Sequence, residues 1–151
     1  LNNYNGVMQI MSGLHSSAIF RLKQTWACLA PRDLEKYEEL EQLMQPNGNY
    51  RSLRVAIEEA ALPCIPYLGM YLTQLTFIDD GNPDLTEGFM LNMYKHQMTS
   101  KTVCLLQRLQ GSSYAFDVDA NINAYLRQIA PLSEEETYRR SLQYEEREPQ
   151  N

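Results

Sequence analysis

The uncharged stretch from Leu62 to Ile78 constrains the fold more than any other feature of the sequence. It runs for 17 residues without a charged side chain, and it contains two prolines and one glycine. A membrane-spanning helix needs about 20 apolar residues with few interruptions. Gly81 and Pro83 follow the stretch and favour the end of a helix there. We therefore predict a buried apolar helix from about Pro66 to Ile78, and no insertion into a membrane.

Two acidic residues occupy an unfavourable position at the end of this predicted helix. Asp79 and Asp80 would lie beside the free carbonyl groups of the last turn, which costs roughly 0.3–1 kcal/mol per charge. A local rule that is broken without an obvious gain indicates either a functional site or an uncompensated surface detail. With Asp84, these acids could gather a hard cation, but Gly81 is out of register with a calcium loop. We expect a solvated helix end and no metal.

Apolar residues recur at helical spacing along most of the chain, and no segment shows sustained alternation. The pattern predicts an all-α fold, an irregular helical bundle. One stripe, from Ile19 to Leu29, predicts a single helix that is capped by Ser16 or Ser17. A long helix is predicted from about Phe89 to Leu109.

Local signals place several boundaries. Residues 46–49, with the sequence Pro-Asn-Gly-Asn, predict a turn. Ser133 and Glu136 have the spacing of a capping box, which predicts a last helix from Glu134 to about Gln143. The polar end, from Glu145 to Asn151, is expected to fray.

Composition and motifs disfavour several classes of function. The net charge of −6 disfavours a nucleic-acid partner. Three widely spaced cysteines, with no CxxC pair, favour a reducing compartment such as the cytoplasm. The sequence has no GxSxG, P-loop or HExxH motif, and its two histidines, His15 and His96, lack ligand or triad spacing. We expect no cofactor, no metal and no covalent chemistry.

Aromatic residues gather around the predicted apolar helix. Tyr50, Tyr67, Tyr71 and Phe77 could simply form part of the core. Aromatic side chains are also the usual anchors of protein–protein interfaces. The residues alone leave both interpretations open.

Four motifs, taken together, point to a family. In chain order they are Leu1–Met8 with Ser12–Leu14, Arg21–Trp26, Pro63–Asp84 and Ser141–Glu148. Their sequences and order resemble the catalytic domain of Ras-type guanine nucleotide exchange factors. The resemblance implies that residues 1–144 form the C-terminal part of such a domain, which in the family extends upstream of Leu1. Residues 145–151 would be a polar tail.

The resemblance implies how the chain would act. Such domains are all-helical, and a protruding helical hairpin opens the nucleotide site of a small GTPase. The first hairpin helix would be Tyr67–Ile78, and the second would begin near Phe89. The implied partner is a Ras-family GTPase, of Ras or Rap type, and the protein would be cytoplasmic and recruited to membranes through parts outside this chain.

The resemblance also assigns roles to residues. Thr76 matches a position near the magnesium site, Asp80 matches an acid near the phosphate-binding loop, and Asn82 matches an asparagine that closes the helix. The implied GTPase-binding residues are Met8, Ser12, His15, Tyr50, Tyr67, Thr73 and Phe77. Family members often have leucine where this chain has Thr76, and Phe77 could supply the bulk instead. This departure keeps an alternative open, a GTPase-binding or scaffold module of the same fold with weak exchange activity.

Overall fold

The computed structural model describes residues 1–147, and its regular structure is α-helical throughout that range. Residues 148–151, part of the predicted polar tail, lie outside the described residues. No helix between residues 1 and 147 is long and apolar enough to cross a membrane. The helices are α1 Tyr4–Leu14, α2 Ser17–Phe20, α3 Lys23–Ala27, α4 Pro31–Leu43, α5 Asn47–Glu59, α6 Leu68–Gly81, α7 Met93–Gln110, α8 Ala120–Gln128 and α9 Glu134–Tyr144.

The chain divides into two compact units. The first unit comprises residues 1–8 and 42–114, and the second comprises residues 9–41 and the described residues from 115 onward. In the first unit, α6 packs against α7. Its largest fully buried side chains are Tyr71, Leu53, Ile57 and Met70. The uncharged stretch therefore supplies core residues to a helix, as its sequence predicts.

The segment before α6 is tied to the start of the chain. Ile65 donates a backbone hydrogen bond to the carbonyl of Asn2 at 2.9 Å, and its own carbonyl accepts from the backbone of Tyr4 at 2.9 Å. The Tyr114 hydroxyl donates to the carbonyls of Leu1 and Pro63. These bonds fix the position at which α6 begins.

In the second unit, Arg21 joins α2 to the end of α9. Its guanidinium donates to the carbonyls of Ser141, Glu145 and Glu146 at 3.1, 2.7 and 2.8 Å. The carboxylate of Glu145 accepts in turn from the backbone of Thr25 at 2.6 Å and from its hydroxyl at 2.7 Å. Hydrogen bonds therefore hold Glu145 and Glu146, the first two residues of the segment that is expected to fray.

The single helix predicted from Ile19 to Leu29 is wrong. The chain leaves the helical conformation at Leu22, with φ −76° and ψ 68°, so α2 and α3 are separate. Leu22 is buried at this break. The Arg21 side chain reaches the end of α9 from the same point, so tertiary contacts override the helical period. Ser16 occupies the N-cap position of α2 but makes no side-chain cap.

The long helix predicted from about Phe89 begins at Met93 instead. Residues 84–92 form a tight loop, in which the backbone of Asn92 donates to Asp84 at 2.8 Å and that of Thr86 donates to Met90 at 2.8 Å. Phe89 has φ +56°, which is incompatible with a right-handed helix. The Asn92 side chain caps α7 by accepting from the backbone of Lys95.

The capping box before α9 forms only in part. The Ser133 hydroxyl accepts from the backbone of Glu136 at 3.1 Å, which confirms the predicted N-cap. The carboxylate of Glu136 pairs with Arg140 and Arg139 instead of the backbone of Ser133, and these pairs lower the pKa of Glu136. Charge partners one turn away compete successfully for this carboxylate.

Candidate functional site

One face of α6 is exposed and carries four of the predicted site residues. Thr73, Thr76, Phe77 and Asp80 follow one another at spacings of three and four, so they share one side of the helix. Phe77 is 67% exposed. The residues that α6 buries are Met70, Tyr71 and Ile78. The helix therefore supports the core with one face and presents the other to a possible partner.

The two threonine hydroxyls on this face are used within the helix. Thr73 donates to the carbonyl of Gly69 at 2.9 Å, and Thr76 donates to that of Leu72 at 3.1 Å. Such bonds to the preceding turn engage the hydroxyl hydrogen locally. Leu72 and Phe77 add exposed apolar surface beside them. Along most of its length, the face is therefore suited to apolar contact rather than to hydrogen-bond donation.

Lys95 of α7 joins the end of α6 to the loop that follows it. Its Nζ lies 2.5 Å from a carboxylate oxygen of Asp79, 2.6 Å from one of Asp84 and 3.3 Å from the Asp79 carbonyl. Lys95 itself is buried, with 8% of its surface exposed. The hydrogen bonds that Lys95 donates to Asp79 and Asp84 raise the pKa of Lys95, and its ammonium lowers the pKa of Asp84. One cation is thus shared by two acids, of which Asp79 lies at the C-terminal pole of α6.

Asp80 differs from its neighbour. It is exposed, and it forms no ion pair with any residue of the described range. The cation that offsets the unfavourable position of Asp79 therefore leaves Asp80 uncompensated. A free carboxylate remains at the tip of the helix.

Two asparagines fix the geometry of the tip. Asn82 donates from Nδ2 to the carbonyl of Ile78 at 2.9 Å, so its side chain closes the last turn of α6. Asn92 donates from Nδ2 to the carbonyl of Pro83 at 2.9 Å. The first bond satisfies a carbonyl group that the end of α6 leaves open, and the second holds the loop that follows the helix. The position of Asp80 is therefore set by its surroundings.

Tyr50 and Tyr67 form an aromatic pair in the same unit. Their ring centroids are 5.8 Å apart in an edge-to-face arrangement. Gly48, Asn49 and Tyr50 all have left-handed backbone angles, with φ of 60°, 58° and 57°. This conformation confirms the predicted turn, and it is unusual for a residue as bulky as tyrosine. The strained turn brings Tyr50 to Tyr67, which directly precedes α6.

Gly69 leaves room for the Tyr67 ring. A Cβ placed on Gly69 would lie 2.5 Å from the Tyr67 hydroxyl oxygen, which is well inside contact distance. The glycine in the first turn of α6 therefore permits the tyrosine to fold back over the helix.

The remaining predicted residues belong to α1 and its end. Met8 and Ser12 are one turn apart on α1, and Ser12 is exposed. His15 follows the helix, and its Nε2 lies 2.8 Å from the Tyr37 hydroxyl and 3.3 Å from a carboxylate oxygen of Glu41. Sequence spacing did not point to Tyr37 or Glu41. Their apolar and acidic pattern on α4 is that of an ordinary amphipathic helix.

Lys95 is also a residue that the sequence reasoning missed. The sequence contains the pair as one basic residue on α7 and two acids at the end of α6. Their pairing depends on how α6 packs against α7, which spacing along the chain does not predict. The three acids of this region were considered as a cation site. The structure gives two of them a lysine ammonium as their partner.

Comparison with known proteins identifies the family. The model of the RasGEF domain matches residues 1–97. The chain is 37% identical over 99% of its length to Ras-specific guanine nucleotide-releasing factor 1 of Homo sapiens and to factor 2 of Danio rerio. It is 38% identical over 93% of its length to Ras guanine nucleotide exchange factor Y of Dictyostelium discoideum. It spans only 12%, 12% and 9% of these three relatives. The chain belongs to the RasGEF domain family.

Proposed function

We propose that this chain promotes the release of GDP from a Ras-family small GTPase, by inserting the α6–α7 hairpin into the nucleotide site. The observation that carries the proposal is the exposed and unpaired carboxylate of Asp80, at a helix end where the neighbouring acid is neutralised. Family membership supports it, because relatives carry the names of Ras exchange and releasing factors. The exchange is non-covalent and needs no cofactor.

The proposed mechanism is competition between a carboxylate and a phosphate. Phosphates of a bound nucleotide are held by backbone N–H groups and a lysine of the phosphate-binding loop. Asp80 would offer its oxygens to the same donors, while Thr76 and Phe77 would occupy space next to the magnesium ion. Loss of the ion removes the charge that holds the nucleotide. Because this chain would bind the nucleotide-free GTPase more tightly than the nucleotide-bound form, it would weaken nucleotide binding by linkage.

The remaining site residues would hold the GTPase. Tyr50 and Tyr67 form an aromatic pair, and Thr73 lies one turn from Gly69 on the exposed face of α6. These three residues would accommodate apolar and aromatic side chains of the GTPase switch region. Met8, Ser12 and His15 would contact the GTPase as well. Aromatic anchors of this kind carry much of the binding energy of protein interfaces. The GTPase would be of Ras or Rap type, met in the cytoplasm, with recruitment to membranes through other parts of the protein.

One observation favours a second candidate, a module that binds a GTPase or a scaffold without efficient exchange. Thr76 stands where family members often carry a bulkier apolar residue, and its hydroxyl is bonded back to Leu72. A small side chain would crowd a magnesium ion less than leucine does. Phe77, 67% exposed on the same face, is the residue that could replace that bulk.

Nucleotide release from a panel of Ras and Rap GTPases, loaded with fluorescent GDP, tests the proposal. We expect accelerated release with at least one GTPase. Asp80→Ala should slow it by about tenfold or more, as expected for removal of one charge-assisted contact. Glu59→Ala, at an exposed acid at the end of α5, is the matched control and should release nucleotide like the unaltered chain.

The possible outcomes separate the two candidates. Binding without accelerated release would favour a GTPase-binding module. The absence of binding to any GTPase would contradict the exchange function, and of the second candidate it would leave only a scaffold role. Tyr67→Ala should weaken binding, whereas Tyr67→Phe keeps the ring and should bind normally. Unchanged binding in Tyr67→Ala would remove Tyr67 from the interface.

A further inference from the structure

The first unit contains a polar cavity that the exchange proposal does not use. It has a volume of about 580 Å³ and lies between α5, α6 and α7. Its lining includes Arg54, Glu58, Tyr71, Lys101 and Arg108. Tyr71 belongs to the buried face of α6, whereas Thr76 and Asp80 are exposed. The cavity is therefore separate from the face proposed to meet a GTPase.

Two buried donors at this cavity have no hydrogen-bond partner. Tyr71 is 2% exposed, and its hydroxyl has no partner among the described residues. Nη2 of Arg54 is also buried and unpaired, although Nε donates to the Asn49 carbonyl at 2.7 Å and Nη1 donates to Gln74 Oε1 at 2.6 Å. Buried polar groups are nearly always hydrogen-bonded, so an orphaned pair requires an explanation.

The charge of the lining points to the kind of ligand. Arg54, Lys101 and Arg108 carry three positive charges and Glu58 carries one negative charge, a local excess of two in a chain of net charge −6. None of these four side chains forms an ion pair within residues 1–147. Arginine and lysine without carboxylate partners are the groups that proteins use to bind phosphate. The volume is in the range of small-molecule sites.

We propose that this cavity binds a phosphorylated polyol, with its phosphates on the cationic side chains and the orphaned donors. Small shifts of the Tyr71 and Arg54 side chains on binding would uncover the Tyr71 hydroxyl and Nη2 of Arg54, so that both donate to phosphate oxygens. Lys101 and Arg108, both exposed, would neutralise charge at its mouth. Glu58, which also lines the cavity, would accept from a hydroxyl of the polyol. The shared chemistry is that of an inositol phosphate, either free or as a lipid headgroup.

Titration calorimetry of the chain with inositol trisphosphate, and flotation with vesicles, would test this site. The vesicles contain phosphatidylcholine with either phosphatidylinositol bisphosphate or phosphatidylserine at equal total charge. We expect saturable binding of inositol trisphosphate. Binding only to the bisphosphate vesicles would instead assign the site to a lipid headgroup.

Three variants connect the binding to the cavity. Tyr71→Phe removes only the orphaned hydroxyl, so the apo protein should remain folded while affinity falls about tenfold. Arg108→Glu reverses an exposed charge and should reduce affinity by about tenfold or more. Arg51→Glu is the matched control, because Arg51 is exposed on α5 and does not line the cavity.

The results that would overturn the proposal are equally defined. Absence of binding to both ligand forms would do so. Equal losses in Arg108→Glu and Arg51→Glu would show general electrostatic attraction, and unchanged affinity in Tyr71→Phe and Arg108→Glu would place the ligand elsewhere. Nucleotide release is a separate assay, so a failure here leaves the proposed exchange function untouched.

Discussion

Carboxylates lie at the first turn of α3 and at the last turn of α6, and these are opposite poles of a helix. Glu145 lies at the N-terminus of α3, where it accepts from the backbones of Thr25 and Gln24 at 2.6 and 3.2 Å. That pole favours negative charge. Asp79 and Asp80 lie at the C-terminal pole of α6, which disfavours it. The first arrangement stabilises the fold, whereas the second needs another explanation.

Lys95 supplies half of that explanation. Its ammonium pairs with Asp79 and contacts the Asp79 carbonyl, so it offsets both the acid and the helix pole. Asp80 receives no such partner in the described residues. The comparison separates two kinds of carboxylate. Glu145 stabilises the fold, whereas the position of Asp80 brings no gain in stability. Four predictions test this distinction, from the largest expected effect to the smallest.

Arg21→Ala should give the largest loss of stability. It removes the donor to three carbonyl groups at the end of α9 and releases the segment that carries Glu145. We expect the free energy of unfolding in urea to fall by about 3 kcal/mol, as for loss of several bonds to a charged group. Arg32→Ala, at an exposed position of α4, should change it little. A small effect of Arg21→Ala would mean that the α3 arrangement is not a stabilising one.

Lys95→Met should damage both stability and nucleotide release. It leaves Asp79 and Asp84 without their shared cation beside the pole of α6, so the tip should lose its fixed geometry. We expect a lower midpoint of thermal unfolding and a slower release from the GTPase, with Lys95→Arg recovering part of each.

Lys101→Met on the same helix is the control, because Lys101 is exposed and makes no ion pair within the described residues. If Lys95→Met lowers the midpoint but leaves the release rate intact, the lysine is structural only. Asp80 would then not depend on the neighbouring pair for its position.

The loss of the free energy of unfolding at acidic pH should depend on Glu145. Burial alone would raise its pKa, but hydrogen bonds from Thr25 and Gln24 and the charge of Arg21 hold the pKa below its ordinary value of 4.5. Its contribution is therefore present above about pH 4.5 and is lost as the pH falls through the lower folded value. Glu145→Gln should make the free energy of unfolding in urea depend less on pH below about 4.5. Glu135→Gln, at an exposed position in the first turn of α9, should leave this dependence unchanged.

Much of the fold followed from local patterns. The buried face of α6, the caps at Ser133 and the turn at residues 46–49 depend on neighbours within a few positions, so the sequence predicts them. The break at Leu22 and the start of α7 at Met93 do not. They are set by Arg21 reaching the end of α9 and by a loop closed through backbone bonds.

The candidate site divides in the same way. Spacing alone puts Thr73, Thr76, Phe77 and Asp80 on one face, and the resemblance gave them roles. The partner of Asp79 was not predictable, because Lys95 is 16 positions away and meets it only through the packing of α6 on α7. The left-handed conformation of Tyr50 was also hidden, since Gly48 and Asn49 are residue types that favour it and tyrosine is not. Patterns identified the exposed face, and tertiary contacts determine which of its acids is free.

Asp80→Ala should have the smallest effect on stability and the opposite sign from the others. Removing an unpaired carboxylate from the C-terminal pole, and introducing a better helix former, should raise the free energy of unfolding by a few tenths of a kcal/mol, about the size of the dipole term. Asp79→Ala should instead lower the midpoint of thermal unfolding, because Lys95 loses a partner. Urea and thermal unfolding of the two variants side by side provide the measurement. A loss of stability in Asp80→Ala as large as that in Asp79→Ala would make both acids structural, and the proposed competition with phosphate would lose its basis.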